Sequence, residues 1–445
     1  MMPRAAARSR LIAGATKKRG WRSMDRGAGD AMSDGSLHER HMGLVDRLVG
    51  RGDIRSPRIE AAFRAVPRHL FLPGVDPERV YQDEAIPTRV RDGEPISSSS
   101  QPAAMAVMLE QLDIQPGDRV LEVGAGTGYN AALLAHLAGP SGRVTAIDLD
   151  DEIVAEARDH LAAAGASEVR LVAGDGVHGV PEDAPYDRIM LTVGAWDVAP
   201  AWREQLGTGG RLLLPLWLRG AQKTVAFMPA TDEHGREHLA SISVSSCSFM
   251  RLRGALAGPE GYLPLGPTSE LSLGLEDRSA VDPAWAYRQL SEPFQELSVP
   301  AATSTIEVWT SLTLWLALRH PGFCTLHAEG VLASAPRLSG QGSSRFTCGL
   351  VDEHGFALLA HPEPGETVDN LQPLAIRVYG PTETLARELA ASIAAWDAAG
   401  RPGDDRLRLR VDPLPTDRAP DAGETTLNKR WTRIAVRWEP RSADA

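Results

Sequence analysis

The chain has 445 residues, 43% of them apolar, and a formal net charge of -11. That length predicts two domains with enough apolar material for a sizeable core, and the acidic balance argues against a basic nucleic-acid groove. Cys247, Cys324 and Cys348 form no CxxC pair, so neither a zinc site nor a disulfide framework is expected, and no apolar run approaches the roughly 20 residues of a membrane span.

The first residues carry Arg4, Arg8, Arg10, Lys17, Lys18, Arg19, Arg22 and Arg26 against one acid, Asp25. No apolar core follows, as a signal peptide would need. Residues 1–36 are therefore expected to be a disordered basic tail. HMGLVDRLVGRG and SPRIEAAFRAV read as helices, with Ser56 as N-cap and Pro57 in the first turn. PRHLFLP follows, then YQDEAIPTRVRDGEPISSSSQP, a long connection with few periodic apolar residues, of the kind that tends to be functional. Helix returns from Pro102 to Leu112. Ser100 or Gln101 is positioned to cap it.

From Val120 strands alternate with helices: VLEV, NAALLAHLA, RVTAID, DEIVAEARDHLAAAG, VRLVAGD, YDRIMLTVGA, AWREQL, GGRLLLPLW. This predicts a doubly wound, mostly parallel sheet whose apolar strands are covered on both faces. KTVAFMP and LASISVSSCSFMRL read as antiparallel strands closing it. A Gly/Pro-rich shift near residues 254–268 marks a boundary. Beyond it TIEVWTSLTLWLALRH and ETLARELAASIAAWDAAG read as helices. FTCGLVDE, FALLA, LAIRVYG, RLRLRV and TRIAVRW read as strands. The expected division is 37–265 for an α/β domain and 266–445 for a smaller α+β domain.

The chemistry centres on RVLEVGAGTGY, an apolar strand feeding Gly124, Gly126 and Gly128. Such glycines allow a tight turn and close approach of backbone to a ligand. Position 129, where a dinucleotide fingerprint has glycine, is Tyr129, which weakens a dehydrogenase reading. Asp148 ends the next strand, where an acid bonds ribose hydroxyls. Asp175 and Gly176 follow the third strand, where an acid recognises an adenine amine. Glu122 lies near the path of a cationic ligand. With Thr127, this set resembles the S-adenosylmethionine site of class I methyltransferases and implies a Rossmann-like fold. No metal is implied.

VPRHLFLP, YQDEAIP, ISSSSQP, VLEVGAGTGYNAALLAHL, AGDGVHG, PYDRIMLT and EQLGTGGRLLLPL stand in the order found in protein-L-isoaspartate O-methyltransferases, a resemblance over about Leu37 to Arg253. It implies an isoaspartyl carboxylate as acceptor and SQP, here Ser100, Gln101 and Pro102, lining it. A carboxylate is ionised at neutral pH and needs no general base, so the enzyme mainly aligns two reactants. Ser100 is expected to orient the acceptor, with Ser99 beside it. Ser98, where the family usually differs, and Trp196 of VGAWDVAP are expected to shape the acceptor pocket; for Trp196 a packing role is equally open. His178 reads as structural. The appended domain resembles actinobacterial members of the family encoded with ribosomally made peptides (lanthipeptide and FxLD systems), which implies methylation of a peptide aspartate and closure to an aspartimide, with the C-terminal domain binding the peptide. The partner is then a peptide or protein, with no nucleic acid or membrane. A cytoplasmic monomer is expected.

Overall fold

The alternation that starts at Val120 builds the parallel half of a ten-stranded sheet. In the computed structural model, which describes residues 34–91, 94–254, 257–268, 270–329, 344–360, 371–381 and 383–440, four neighbouring pairs are parallel. They join Leu206–Leu218, Tyr186–Leu191, Arg119–Val123, Arg143–Asp148 and Arg170–Ala173 in that order. The strand order reverses beside Arg119–Val123, so the glycine turn after it opens at the carboxyl ends of the strands, where ligands of open α/β sheets bind. Helices flank both faces, and the strands are apolar along their length because both faces are buried.

The basic tail expected over 1–36 lies outside the described residues, except for 34–36, which open the helix Asp34–Arg51. That helix and Pro57–Ala65 bury Leu44, Leu48 and Phe63 against the sheet-side helices. Ser56 holds the N-cap position but makes no side-chain cap. Its N–H donates instead to Glu110 Oε1 at 2.7 Å. The connection before Pro102 is not irregular: Ile86–Arg91 and Glu94–Ser99 form an antiparallel hairpin. Its alternation is hidden in the sequence because its outer face is polar and its serines face inward.

The sheet continues antiparallel through Ala221–Thr231 and Glu237–Ser246. The next strand in space is Leu407–Pro413, paired at Arg410↔Ala240 and Val411↔Leu239, followed by Thr432–Trp438 and Thr425–Asn428. This corrects the division at 265/266. RLRLRV and TRIAVRW, expected in the second domain, complete the first sheet. Glu237–Ser246 has an open edge, and the last strands satisfy it. The appended unit proper is a seven-stranded antiparallel sheet built between Gly261 and Tyr379. The helix Glu383–Ala398 packs on one face of it with Trp315, Leu316 and Trp396. TIEVWTSLTLWLALRH is helical as expected, but widens to a π turn over Val308–Leu312.

Two buried ion pairs hold the return crossing. Lys223, with a side chain 1% exposed, donates to Asp404 Oδ1 at 2.5 Å and to Ser246 Oγ and Thr310 O at 2.6 Å. Lys429 Nζ lies 3.0 Å from Glu260 Oε1, both nearly inaccessible. The multiple hydrogen bonds offset the desolvation that such charges cost.

Candidate active site

The glycine turn adopts backbone that side chains resist. Gly124 has φ 101°, Gly126 52° and Gly128 86°. A Cβ at Gly124 would stand 2.8 Å from Thr192 Oγ1. Gly126 N–H donates to Asp148 Oδ2 at 3.0 Å, which ties the turn to the end of the next strand. Gly128 packs on Leu161 and Ala157 as the N-cap of the helix Tyr129–Ala138. It shapes the turn but is not among the residues lining the cavity, a correction to its expected contact role. Tyr129 is buried against Phe71, with ring centroids 5.4 Å apart. That packing is why position 129 is aromatic.

A cavity of about 1340 Å3 opens beside this turn. Glu122, Gly124, Gly126, Thr127, Asp148, Asp175 and Gly176 line one side. Glu122 is wholly buried. Asn130 Nδ2 donates to its Oε1 at 2.8 Å, while Oε2 has no partner among the described residues. Burial pushes the Glu122 carboxyl up to about 8. Burial likewise raises Asp148, against the Gly126 amide that favours its charged form. Asp175 Oδ1 accepts from Val177 N–H at 3.0 Å. Gly176 must be glycine because a Cβ would sit 2.4 Å from Val123 Cγ1.

The serine loop forms the facing wall. Ser98 O lies 3.6 Å from where a Gly126 Cβ would be, so the loop passes directly over the turn. Ser98 and Ser100 are half-buried and line the cavity, and the Ser100 hydroxyl has no hydrogen-bond partner among the described residues. Ser99 differs. It lines the cavity too, but it is more deeply buried and its Oγ accepts from Arg68 Nη2 at 3.3 Å, which ties it to the scaffold and leaves its O–H to donate. Gln101 occupies the N-cap position of Pro102–Leu112 without a side-chain cap. Its Nε2 donates to Asp83 O at 3.2 Å, and Asp83 Oδ1 caps the helix by accepting from Ala103 N–H at 2.9 Å. The cap expected from Ser100 or Gln101 therefore comes from YQDEAIP, a residue 20 positions away.

Trp196 is not among the cavity-lining residues. Its ring lies under Lys429 Nζ, 4.8 Å from the centroid, and against Gly258. Its neighbour Asp197, fully buried, accepts from Trp431 N–H at 2.7 Å. VGAWDVAP is thus a staple to the C-terminal strands, and packing is the role of Trp196. His178 is exposed. Trp217, Arg251 and Tyr262, which composition and motif did not single out, line the cavity instead. Arg251 Cζ lies 4.7 Å above the Trp217 ring, and its buried Nε has no partner among the described residues. Arg68, completely buried, gathers the carbonyls of Val80, Glu84 and Ser100 at 2.9, 3.0 and 3.0 Å. Its place in VPRHLFLP was the one available signal.

A family model for protein-L-isoaspartate(D-aspartate) O-methyltransferase matches residues 39–252. The Methanopyrus kandleri protein-L-isoaspartate O-methyltransferase is 43% identical over 220 residues, 49% of this chain and 92% of its own. The chain belongs to the protein-L-isoaspartate O-methyltransferase family. The Methanoculleus marisnigri member is 40% identical over 193 residues, covering 43% and 84% of the two chains. A solved protein-L-isoaspartate O-methyltransferase aligns with a TM-score of 0.45 at 25% identity, covering 83% of this chain and 96% of that one. The family match ends at residue 252, before the seven-stranded sheet begins.

The chain is accordingly a carboxyl O-methyltransferase with S-adenosylmethionine as donor. The site suits that donor on its own terms. It holds a buried carboxyl oxygen without a partner among the described residues (Glu122 Oε2), two further acids at successive strand ends, and a turn whose three glycines all have positive φ. Glu122 would meet the cationic group, and Asp148 and Asp175 the ribose and adenine donors. The donor supplies a methyl group already activated on a sulfonium sulfur.

Proposed function

We propose that this enzyme methylates the side-chain carboxylate of an aspartyl residue in a ribosomally made peptide, the ester then closing to an aspartimide. The observation that carries this reading is the cavity wall. It combines the family's serine loop with Arg251 and Tyr262, and Tyr262 lies on the first strand of a sheet outside the family match. An acceptor entering there meets residues that a family member of ordinary length need not have.

In this reading the chain's own groups hold, orient and exclude. Ser100 Oγ–H donates to one carboxylate oxygen and Arg251 supplies the countercharge at the mouth. The other oxygen stays free to attack. No proton moves in the transfer, since the acceptor is already a carboxylate. Alignment carries the rate, because holding two reactants in line replaces a bimolecular encounter. The C–O bond forms as the C–S bond breaks, and the electron pair leaves with sulfur. Ring closure then follows from the peptide itself. The next backbone nitrogen attacks the ester carbonyl and methanol departs with the amide proton.

A second reading, isoaspartyl methylation in protein repair, is supported by the names of the relatives. The two separate by mass. The enzyme and donor are incubated with a generic isoaspartyl peptide and, separately, with aspartyl precursor peptides encoded beside the gene. The first reading expects a gain of methyl and then loss of methanol on a precursor peptide alone. Rapid turnover of the isoaspartyl peptide with none of the precursor would replace it with the second. The reaction is read as one of a cytoplasmic monomer.

A further inference from the structure

The cavity is larger than the roughly 300–1,000 Å3 of ordinary small-molecule sites. Its outer wall continues onto the seven-stranded sheet. Tyr262, 45% exposed, lines the cavity from the strand Gly261–Leu265. Its ring lies across Gly274 of the neighbouring strand, where a Cβ would come 3.2 Å from Tyr262 Cε1 and 2.2 Å from Thr325 Oγ1. Over that gap the ring meets His327 edge-on, with centroids 4.7 Å apart. His327 in turn meets its cross-strand partner Phe346 at 4.8 Å, and Phe346 stacks on Trp309 at 3.9 Å and 18°. All three are partly exposed. Their contacts form one unbroken row leading away from the cavity, and Arg251 over Trp217 stands at its inner end.

We infer that the acceptor polypeptide leaves the cavity over Tyr262 and lays apolar or aromatic side chains along His327, Phe346 and Trp309. This rests on the polypeptide-acceptor reading above. The argument is continuity, since one residue, Tyr262, belongs to both the cavity and the row. It is also chemistry. Flat rings with exposed edges favour aromatic and aliphatic partners, and the rings packed around the partly exposed His327 lower its pKa, which keeps the row uncharged at neutral pH. Geometry fixes the reach. From Tyr262 to Phe346 the row crosses three strand spacings of about 4.8 Å, roughly 14 Å, which an extended chain covers in four or five residues at about 3.3 Å each. Side chains of an extended peptide alternate, so the row reads alternate positions of a segment about four or five residues long that begins where the peptide leaves the cavity.

The test uses the full chain and aspartyl and isoaspartyl dodecapeptides that differ only at alternate positions on either side of the acceptor. One set carries Ala there and the other Trp and Leu. The Trp/Leu set should show a KM about tenfold lower at similar kcat. Trp309→Ala and the milder His327→Gln should narrow that preference while the Kd for S-adenosylmethionine stays unchanged. Equal KM for both sets with the wild-type enzyme overturns the inference, as does a preference that persists in both variants. If no peptide is methylated, the polypeptide-acceptor reading fails. The row is then judged by fluorescence anisotropy of the labelled peptides, where equal Kd for the Ala and Trp/Leu sets overturns it.

Discussion

Glu122 is the residue whose chemistry depends most on its surroundings. A carboxyl on the first parallel strand is fully buried, and among the described residues its one donor, Asn130, satisfies a single oxygen. With its titration raised from 4.5 to about 8, the donor-free enzyme holds it largely protonated at pH 7. A cationic ligand favours the charged form. Binding of S-adenosylmethionine at pH 7 should therefore release close to one proton, measured by calorimetry in buffers of different ionisation heat. Glu122→Gln should abolish that release and weaken the donor roughly ten- to a hundredfold, the worth of a hydrogen bond to a charged group at about 1.5–3 kcal/mol. Stability moves the other way. A carboxyl raised in the folded state costs stability as pH climbs from about 4.5 through 8. In donor-free protein, the Gln variant should melt with wild type near pH 4 and above it at pH 9. Ser100 and Ser99 make the contrasting case. Neighbours in sequence, both line the cavity, but Ser99 Oγ accepts from Arg68 while the Ser100 hydroxyl has no partner among the described residues.

At the scale of elements, the acceptor wall is a hairpin and two loops fastened by Arg68. Its guanidinium reaches five backbone carbonyls, those of Val80, Gln82, Glu84, Ser99 and Ser100. Burial lowers its pKa to about 10, which still leaves it charged at neutral pH. Arg68→Met would orphan those carbonyls at a cost of about 3 kcal/mol or more, visible as a lower midpoint in urea unfolding. Arg68→Lys, a point donor that cannot span the fan, should fold, keep its affinity for S-adenosylmethionine within about twofold, and raise the acceptor KM. A rise in donor Kd as large as that in acceptor KM would contradict this assignment. Asp83 works on the same wall, capping the helix Pro102–Leu112 while accepting from Gln101 and from Arg51 at 2.5 Å.

For the molecule as a whole, the return of the chain to its first sheet decides how the appended unit can be studied. A protein ending at Gly266 loses Leu407–Pro413, Thr425–Asn428 and Thr432–Trp438, together with Asp404. It would expose the edge of Glu237–Ser246, take Thr310 and Asp404 from Lys223, and strip Leu314 and Leu318 from the core beside the first sheet. That truncation should aggregate or melt well below the full chain in circular dichroism. A truncation as stable as the full chain would show that the edge strands contribute nothing. For the same reason, lost activity in the truncated protein cannot by itself be assigned to peptide binding.

The sequence by itself determined which strand-end residues meet at the glycine turn. Glu122, Gly124, Gly126, Asp148 and Asp175 are legible because strand, turn and acid lie close along the chain, and their spacing is set by local geometry. The parallel sheet was legible for the same reason. The acceptor half was decided by tertiary structure. Asp83 caps a helix begun 20 residues later, Arg68 gathers a loop 32 residues away, and Trp431 fixes Asp197 across 234 positions. No periodicity records such contacts. They exist only once the chain has folded, and they remove Trp196 from the pocket while bringing Trp217, Arg251 and Tyr262 into it. The final strands looked like part of a second domain because hydrophobic alternation reports that a strand exists, while its partner depends on which sheet edge is left open.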